Sequence, residues 1–147
     1  MRRAAFGLMM VLVCVGAFAQ SAAPQWKIVK TVQVVQGKQL QIPITTLFTP
    51  SKIGAYRYTA YLACFGPSQP YPPFPSWELS ASWTESTGAN TLLGIGCNFQ
   101  NGNSYQFVAP WPFTPKPGVP VQFQLVASNP PPVDSTYSFW ITIEQVE

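Results

Sequence analysis

The ten residues "YRYTAYLACF", Tyr56 to Phe65, decide the fold class. Side chains of an extended chain alternate between two faces, so Tyr56, Tyr58, Ala60, Leu62 and Cys64 line one face and are predicted to face a core. At helical spacing the same residues would be scattered around the axis. The next patterned stretch, "SWELSASWT" from Ser76 to Thr84, repeats the alternation. It sends Trp77, Leu79, Ala81 and Trp83 inward, and Glu78, Ser80 and Ser82 outward.

The same period runs outward from there in both directions. "KQLQIPITT" predicts a strand with Leu40, Ile42 and Ile44 on one face and Gln39, Gln41 and Thr45 on the other. "WKIVKTVQVV" before it is a second strand, expected to join it through a tight turn at Gln36-Gly37. Pro43 has no N–H to give to a ladder, which predicts an edge position or a bulge. "LLGIGCNF" buries Leu93, Ile95, Cys97 and Phe99, and "QNGN" marks a turn at Asn101-Gly102 before "SYQFVA". "VPVQFQLVAS" buries Val121, Phe123, Leu125 and Ala127, and "TYSFWITIEQV" buries Tyr137, Phe139, Ile141 and Ile143. About eight short strands between Pro-, Gly- and Asn-rich turns predict an all-β antiparallel sandwich.

The amino terminus reads as an export signal. Arg2 and Arg3 precede an apolar run from Phe6 to Val15, and Ala17-Phe18-Ala19 places the cleavage after Ala19. Residues 1–19 are therefore assigned to a signal peptide and residues 20–147 to one sandwich domain. Val13 stands where a lipobox needs a small residue, which sets lipidation of Cys14 aside. The apolar run is shorter than the ~20 residues of a membrane-spanning helix, so no transmembrane segment is expected. Of eight basic and five acidic residues, cleavage removes two arginines and leaves a charge of +1. A near-neutral surface offers no footprint for nucleic acid or an anionic membrane. Cys64 and Cys97 remain after cleavage, both on inward positions, and in an oxidising compartment they are expected to bridge, with two free buried thiols as the alternative. Closing that loop stabilises by about 3–4 kcal/mol in the chain-entropy description.

One segment carries a family likeness. "TTLFTPSKIGAYRYTAYLACF", a turn with Pro and then Gly followed by an aromatic-rich alternating strand, resembles the C1q/TNF-like jelly-roll domains, and "TYSFWITIEQV" resembles their last strand. The likeness implies a jelly-roll sandwich and a trimer. Similar modules occur in secreted bacterial and phage-fibre proteins. No collagen-like Gly-X-Y run precedes the segment here.

Catalytic chemistry is poorly provided for. The chain has no histidine, which removes the commonest general base and excludes Ser-His-Asp and Cys-His arrangements. Its carboxylates are Glu78, Glu85, Asp134, Glu144 and Glu147. A two-carboxylate glycosidase would need two of these facing across a sugar, and Glu78 with Glu144 is the conceivable pair. No loop has the oxygen density of a calcium site. The sequence thus predicts no enzyme, no metal and no cofactor.

Aromatic residues carry the functional expectations. "PYPPFPSWE", Pro70 to Glu78, holds Tyr71, Phe74 and Trp77 on a backbone stiffened by four prolines, and "APWPFTPKPGVP" offers Trp111 and Phe113. Trp77 is inward by parity. Tyr71, Phe74 and Trp111 are either a ligand platform, with carbohydrate the leading ligand, or lids over the ends of the sandwich. Tyr61, Phe65 and Trp140 fall on outward positions that a monomeric sandwich keeps polar. They imply a homo-oligomer contact or packing beneath a long loop. The leading functional expectation is an exported, non-catalytic binding or adhesion module. The alternative is a self-assembling structural domain of a surface layer, fibre or envelope.

Overall fold

The protein's structure, a computed structural model, describes residues 23–37, 40–68, 75–129 and 134–147. The expected signal peptide lies outside the described residues. Among the described residues eight strands follow in chain order: β1 (Trp26–Gly37), β2 (Ile42–Phe48), β3 (Tyr56–Phe65), β4 (Ser76–Thr84), β5 (Asn90–Asn98), β6 (Ser104–Phe113), β7 (Val121–Ser128) and β8 (Thr136–Val146). They form two antiparallel four-stranded sheets, sheet A in the order β1-β8-β3-β6 and sheet B in the order β2-β7-β4-β5. Six of the seven connections change sheet, and only β4 and β5 are neighbours both in sequence and in a sheet. That order is a jelly roll, as expected. Among the described residues no helix is long and apolar enough to cross a membrane.

The core lies between the sheets and is built by the predicted alternation. Tyr56, Tyr58, Ala60, Leu62 and Cys64 of β3 are buried, as are Trp77, Leu79, Ala81 and Trp83 of β4. Ile95, Cys97 and Phe99 join them, with Phe139, Ile141 and Ile143 from β8. A disulfide from Cys64 in sheet A to Cys97 in sheet B ties the sheets together. In the registers, Cys64 lies opposite Tyr137 and Cys97 opposite Trp77, and those two rings pack at 4.9 Å. The other end of the core is closed by Phe113 between Trp83 (4.7 Å) and Tyr56 (5.7 Å).

Two local expectations are corrected. The tight turn at Gln36-Gly37 does not make a hairpin: β1 pairs with β8 and β2 with β7, in different sheets. A two-residue hairpin favours positive φ at both central residues, which Gln does not readily adopt, while the long ladder to β8 is available to β1. The chain crosses between sheets instead, and the Tyr137 hydroxyl donates to the Leu40 carbonyl at 2.9 Å on that crossover. The second correction concerns the face of β2. Leu40 and Ile44 are exposed and Leu47 is buried, because register shifts between Ile42 and Thr45 and between Thr46 and Phe48 break the two-residue period. Pro43 stands in an edge strand that is also bulged, as its missing N–H predicted.

The turn after β5 needs its glycine. Gly102 has φ 82°, its N–H reaches the Phe99 carbonyl at 3.2 Å, and an added Cβ would sit 3.4 Å from the Gly66 carbonyl.

Candidate contact surface

The outer face of sheet A gathers the rings that parity marked as anomalous. Tyr61 on β3 lies directly opposite Trp140 on β8 and Phe107 on β6. Tyr61 and Trp140 stack with centroids 4.2 Å apart and planes 16° from parallel, and Tyr61 and Tyr105 stack at 6.3 Å and 25°. A centroid spacing this close to the ~4.8 Å between neighbouring strands means that the Tyr61 and Trp140 rings stand upright, face against face. Their edges point to solvent. Tyr105 is 74%, Phe107 55%, Phe65 41% and Trp140 38% exposed. Ala63, on the same outer face between Tyr61 and Phe65, is buried, a small side chain sunk among its neighbours.

The rest of that face is uncharged around the rings. Gln33 lies opposite Trp140, Thr142 opposite Thr59, and Ser138 opposite Ala63. Charge begins toward one end, where the Arg57 guanidinium grips Glu144 through Nε to Oε2 and through Nη2 to Oε1 at 2.9 Å. The same guanidinium lies 4.5 Å from the Trp26 ring centroid. Hydrogen bonding to Arg57 holds the Glu144 carboxyl below its ordinary range, against a smaller opposing effect of burial. The outer face of sheet B is of another kind, with Glu78, Ser80 and Ser82 opposite Gly96, Gly94 and exposed Leu92 on β5, and with Gln124 and Gln122 of β7 opposite Ser80 and Ser82. Ser80 is outward as expected yet buried.

The sequence-predicted residues divide. Tyr61, Phe65 and Trp140 share the outer face of sheet A, and Tyr61 and Trp140 touch. Tyr71 and Phe74 lie outside the described residues. Trp111 is 50% exposed, but it sits in strand β6 and not in a loop. A bulge opposite Thr59 pairs Ala60 with Val108 and Tyr58 with Trp111, three residues on, which flips the parity. Trp111 therefore falls on the core side of the sheet edge, out of line with Phe107 and Tyr105. Phe113, its loop companion by sequence, is a buried lid. Trp77 is fully buried, as parity required. Tyr105 and Phe107 went unrecognised. The signal was available, since no Asp, Glu, Lys or Arg occurs between Glu85 and Lys116, a span in which outward aromatics have no charged neighbours in sequence.

The carboxylates are separated by the fold. Glu78 is outward on sheet B and Glu144 outward on sheet A, so the whole core stands between them and they cannot flank one sugar. Glu85 accepts from Trp83 Nε1 and from the N–H and hydroxyl of Thr114 at 3.1 and 3.0 Å, fastening the β4–β5 hairpin to the β6–β7 connection. Glu147 pairs with Lys27 at 2.8 Å. Among the described residues no group of three His, Cys, Asp or Glu side chains is placed to hold a metal. A groove of about 210 Å³, lined by Ser82, Trp83, Thr84 and Asn90 with Val119 and Gln122, is smaller than the ~300–1,000 Å³ of small-molecule sites.

Fold and face together define an eight-stranded jelly-roll sandwich with an aromatic outer sheet. No protein-family model matches the sequence, and no curated protein matches it. Among solved structures the fold is similar to that of the infectious bursal disease virus Gx strain, at 12% identity and a TM-score of 0.42, covering 84% of this chain and 33% of that one. It is also similar to the VP2 subviral particle of infectious bursal disease virus, at 12% identity and a TM-score of 0.35, covering 82% of this chain and 32% of that one. The chain spans about a third of the length of these structures.

Proposed function

We propose that the protein is an exported, non-catalytic contact module, a structural surface or assembly domain whose working surface is the outer face of sheet A. The observation that carries this reading is the upright stack of Trp140, Tyr61 and Tyr105 on a face free of charge around the rings. Monomeric sandwiches keep such positions polar, because an apolar ring facing water forgoes ~25 cal/mol for each Å² left unburied. Rings standing on edge spend their faces on one another. They present a ridged apolar surface, which suits another protein surface better than the flat face of a pyranose.

Export rests on the Ala17-Phe18-Ala19 site and accords with the disulfide. A carbohydrate-binding reading is second, and half-exposed Trp111 is the residue that supports it, with Tyr71 and Phe74 as its other expected members. The C1q/TNF resemblance adds a trimer as one stoichiometry. Light scattering across a concentration series and a glycan array, each run on the chain from Gln20 and on its Trp140→Ser variant, test the proposal. Self-association or binding that weakens in the variant at unchanged fold is the expected result. If Trp140→Ser alters neither, the outer face is not the working surface.

A further inference from the structure

The four sheet edges are not protected alike. β1 carries Lys27 and Lys30 and two register shifts, and β2 carries Pro43 and two register shifts. These are the devices by which natural edges avoid pairing with other chains. β5 and β6 form the edges on the other side of the sandwich, where they are neighbours across it. Neither holds a charged residue, and the span from Ser86 to Pro115 that contains both has none. β5 lacks proline and pairs with β4 without a register shift, but its outer face carries no ring, only exposed Leu92 beside Gly94 and Gly96. β6 has its bulge and its prolines, Pro110 and Pro112, only in its second half. Its first half, Ser104–Val108, is a regular, uncharged, unblocked edge bearing the two most exposed rings of the outer face, Tyr105 and Phe107.

We infer that the partner of this surface is a second copy of the chain, paired antiparallel along β6 about a two-fold axis through Gln106. The inference rests on the contact-module reading and names its partner. An antiparallel strand pairs with itself under a two-fold axis and needs no separately evolved complement. In such a pair facing residues share a face of the sheet, so the axis must pass through a residue. Centring on Gln106 sets Tyr105 beside the second copy's Phe107 and Ser104 beside its Val108, and stops short of Pro110. Centring one residue later would bring Pro110 into the ladder. The result is one eight-stranded sheet in which the aromatic outer faces of the two copies run together. Neutral meets neutral, so no charge is buried. Aromatic side chains bury ~150–250 Å² each, so the exposed parts of Tyr105 and Phe107 supply on the order of 200–300 Å². That is less than the ~800 Å² per partner of a standard stable interface, so the pair is expected to form and dissociate with concentration.

The experiment compares wild type with Gln106→Lys and with Trp140→Ser, all from Gln20, by sedimentation over a wide concentration range. Gln106 is exposed, so its replacement leaves the core untouched, yet in the pair it would set two ammonium groups opposite each other across the axis. The expected result is a wild-type dimer, a dissociation constant raised at least about tenfold by Gln106→Lys since like charges directly opposite repel, and a smaller rise on Trp140→Ser, whose ring borders the joined outer face without lying in the ladder. Amide exchange on the wild type checks the same point without a variant: Ser104–Val108 should gain protection as concentration rises. A dimer abolished by Trp140→Ser and kept by Gln106→Lys would overturn edge pairing and leave the outer-face reading standing. A wild type that stays monomeric overturns the inference, and glycan binding lost on Trp140→Ser would then show that the contact surface survives without it.

Discussion

Two tryptophans show what position does to one residue type. Trp77 is fully buried against Tyr137, beside the strand register of Cys97, and its Nε1 has no hydrogen-bond partner among the described residues. Trp140 lies on the outside with one face against Tyr61. Trp77→Ala should cost about 3–5 kcal/mol in denaturant unfolding, because a large cavity opens in a close-packed core. Trp140→Ala should cost about 1 kcal/mol, mainly the lost stack. Equal losses at the two sites would contradict the burial that separates them. The tyrosines divide in the same way. Burial raises the ionisation of Tyr56, Tyr58 and Tyr137 above the ordinary phenol range, most strongly for Tyr58. A raised folded pKa means that the folded state holds its proton longer. The contribution to stability is complete below the unfolded value of about 10 and is lost as pH rises beyond it. Phenolate absorbance should therefore show a late phase above about pH 10 that coincides with loss of tertiary structure. Ionisation of every tyrosine in one phase, with the fold intact, would contradict this.

At the scale of elements the disulfide and the bulges do the deciding. Cys64 and Cys97 join strands of opposite sheets over a sequence separation of 33, and both are buried. Reduction should lower stability by about 3–4 kcal/mol, read as a shift in the denaturant midpoint, and the native bridge should resist reductant until the sheets open. Thiols that titrate stoichiometrically in the folded protein would sink this expectation. The bulge in β6 decides a different matter. By turning Trp111 to the core side it separates that ring from Tyr105 and Phe107, so one aromatic-rich strand contributes to two surfaces. In β2 the register shifts expose Ile44 and bury Leu47. Such shifts leave no mark in the hydrophobic pattern, since a bulge depends on which partner strand the chain meets.

At the scale of the whole molecule the asymmetry lies between sides. Lysines, a proline and register shifts guard the β1/β2 side, while an uncharged span forms the β5/β6 side. One sheet faces outward with rings, the other with no ring but Ser, Gln, Gly, Glu78 and exposed Leu92. These differences set the order of the association tests: Gln106→Lys examines the open side, and Trp140→Ser the ringed face. A molecule whose particle mass answered to neither would leave both asymmetries without a role.

The sequence by itself determined the fold class and the core. Strict alternation in "YRYTAYLACF" and "SWELSASWT" assigns each side chain a face, and burial of the apolar face follows from the cost of leaving it in water. Cysteine parity likewise foretold the bridge, and outward parity singled out Tyr61, Phe65 and Trp140. The tertiary structure alone decided which strands became neighbours. Pairing of β1 with β8 and of β3 with both β8 and β6 is made between residues far apart in the chain, and no local pattern encodes the partner. That choice brought Trp140 against Tyr61, set Glu78 and Glu144 on opposite faces, and left β6 at an open edge. Alternation fixes the face a residue shows, but its neighbours on that face are fixed by long-range pairing.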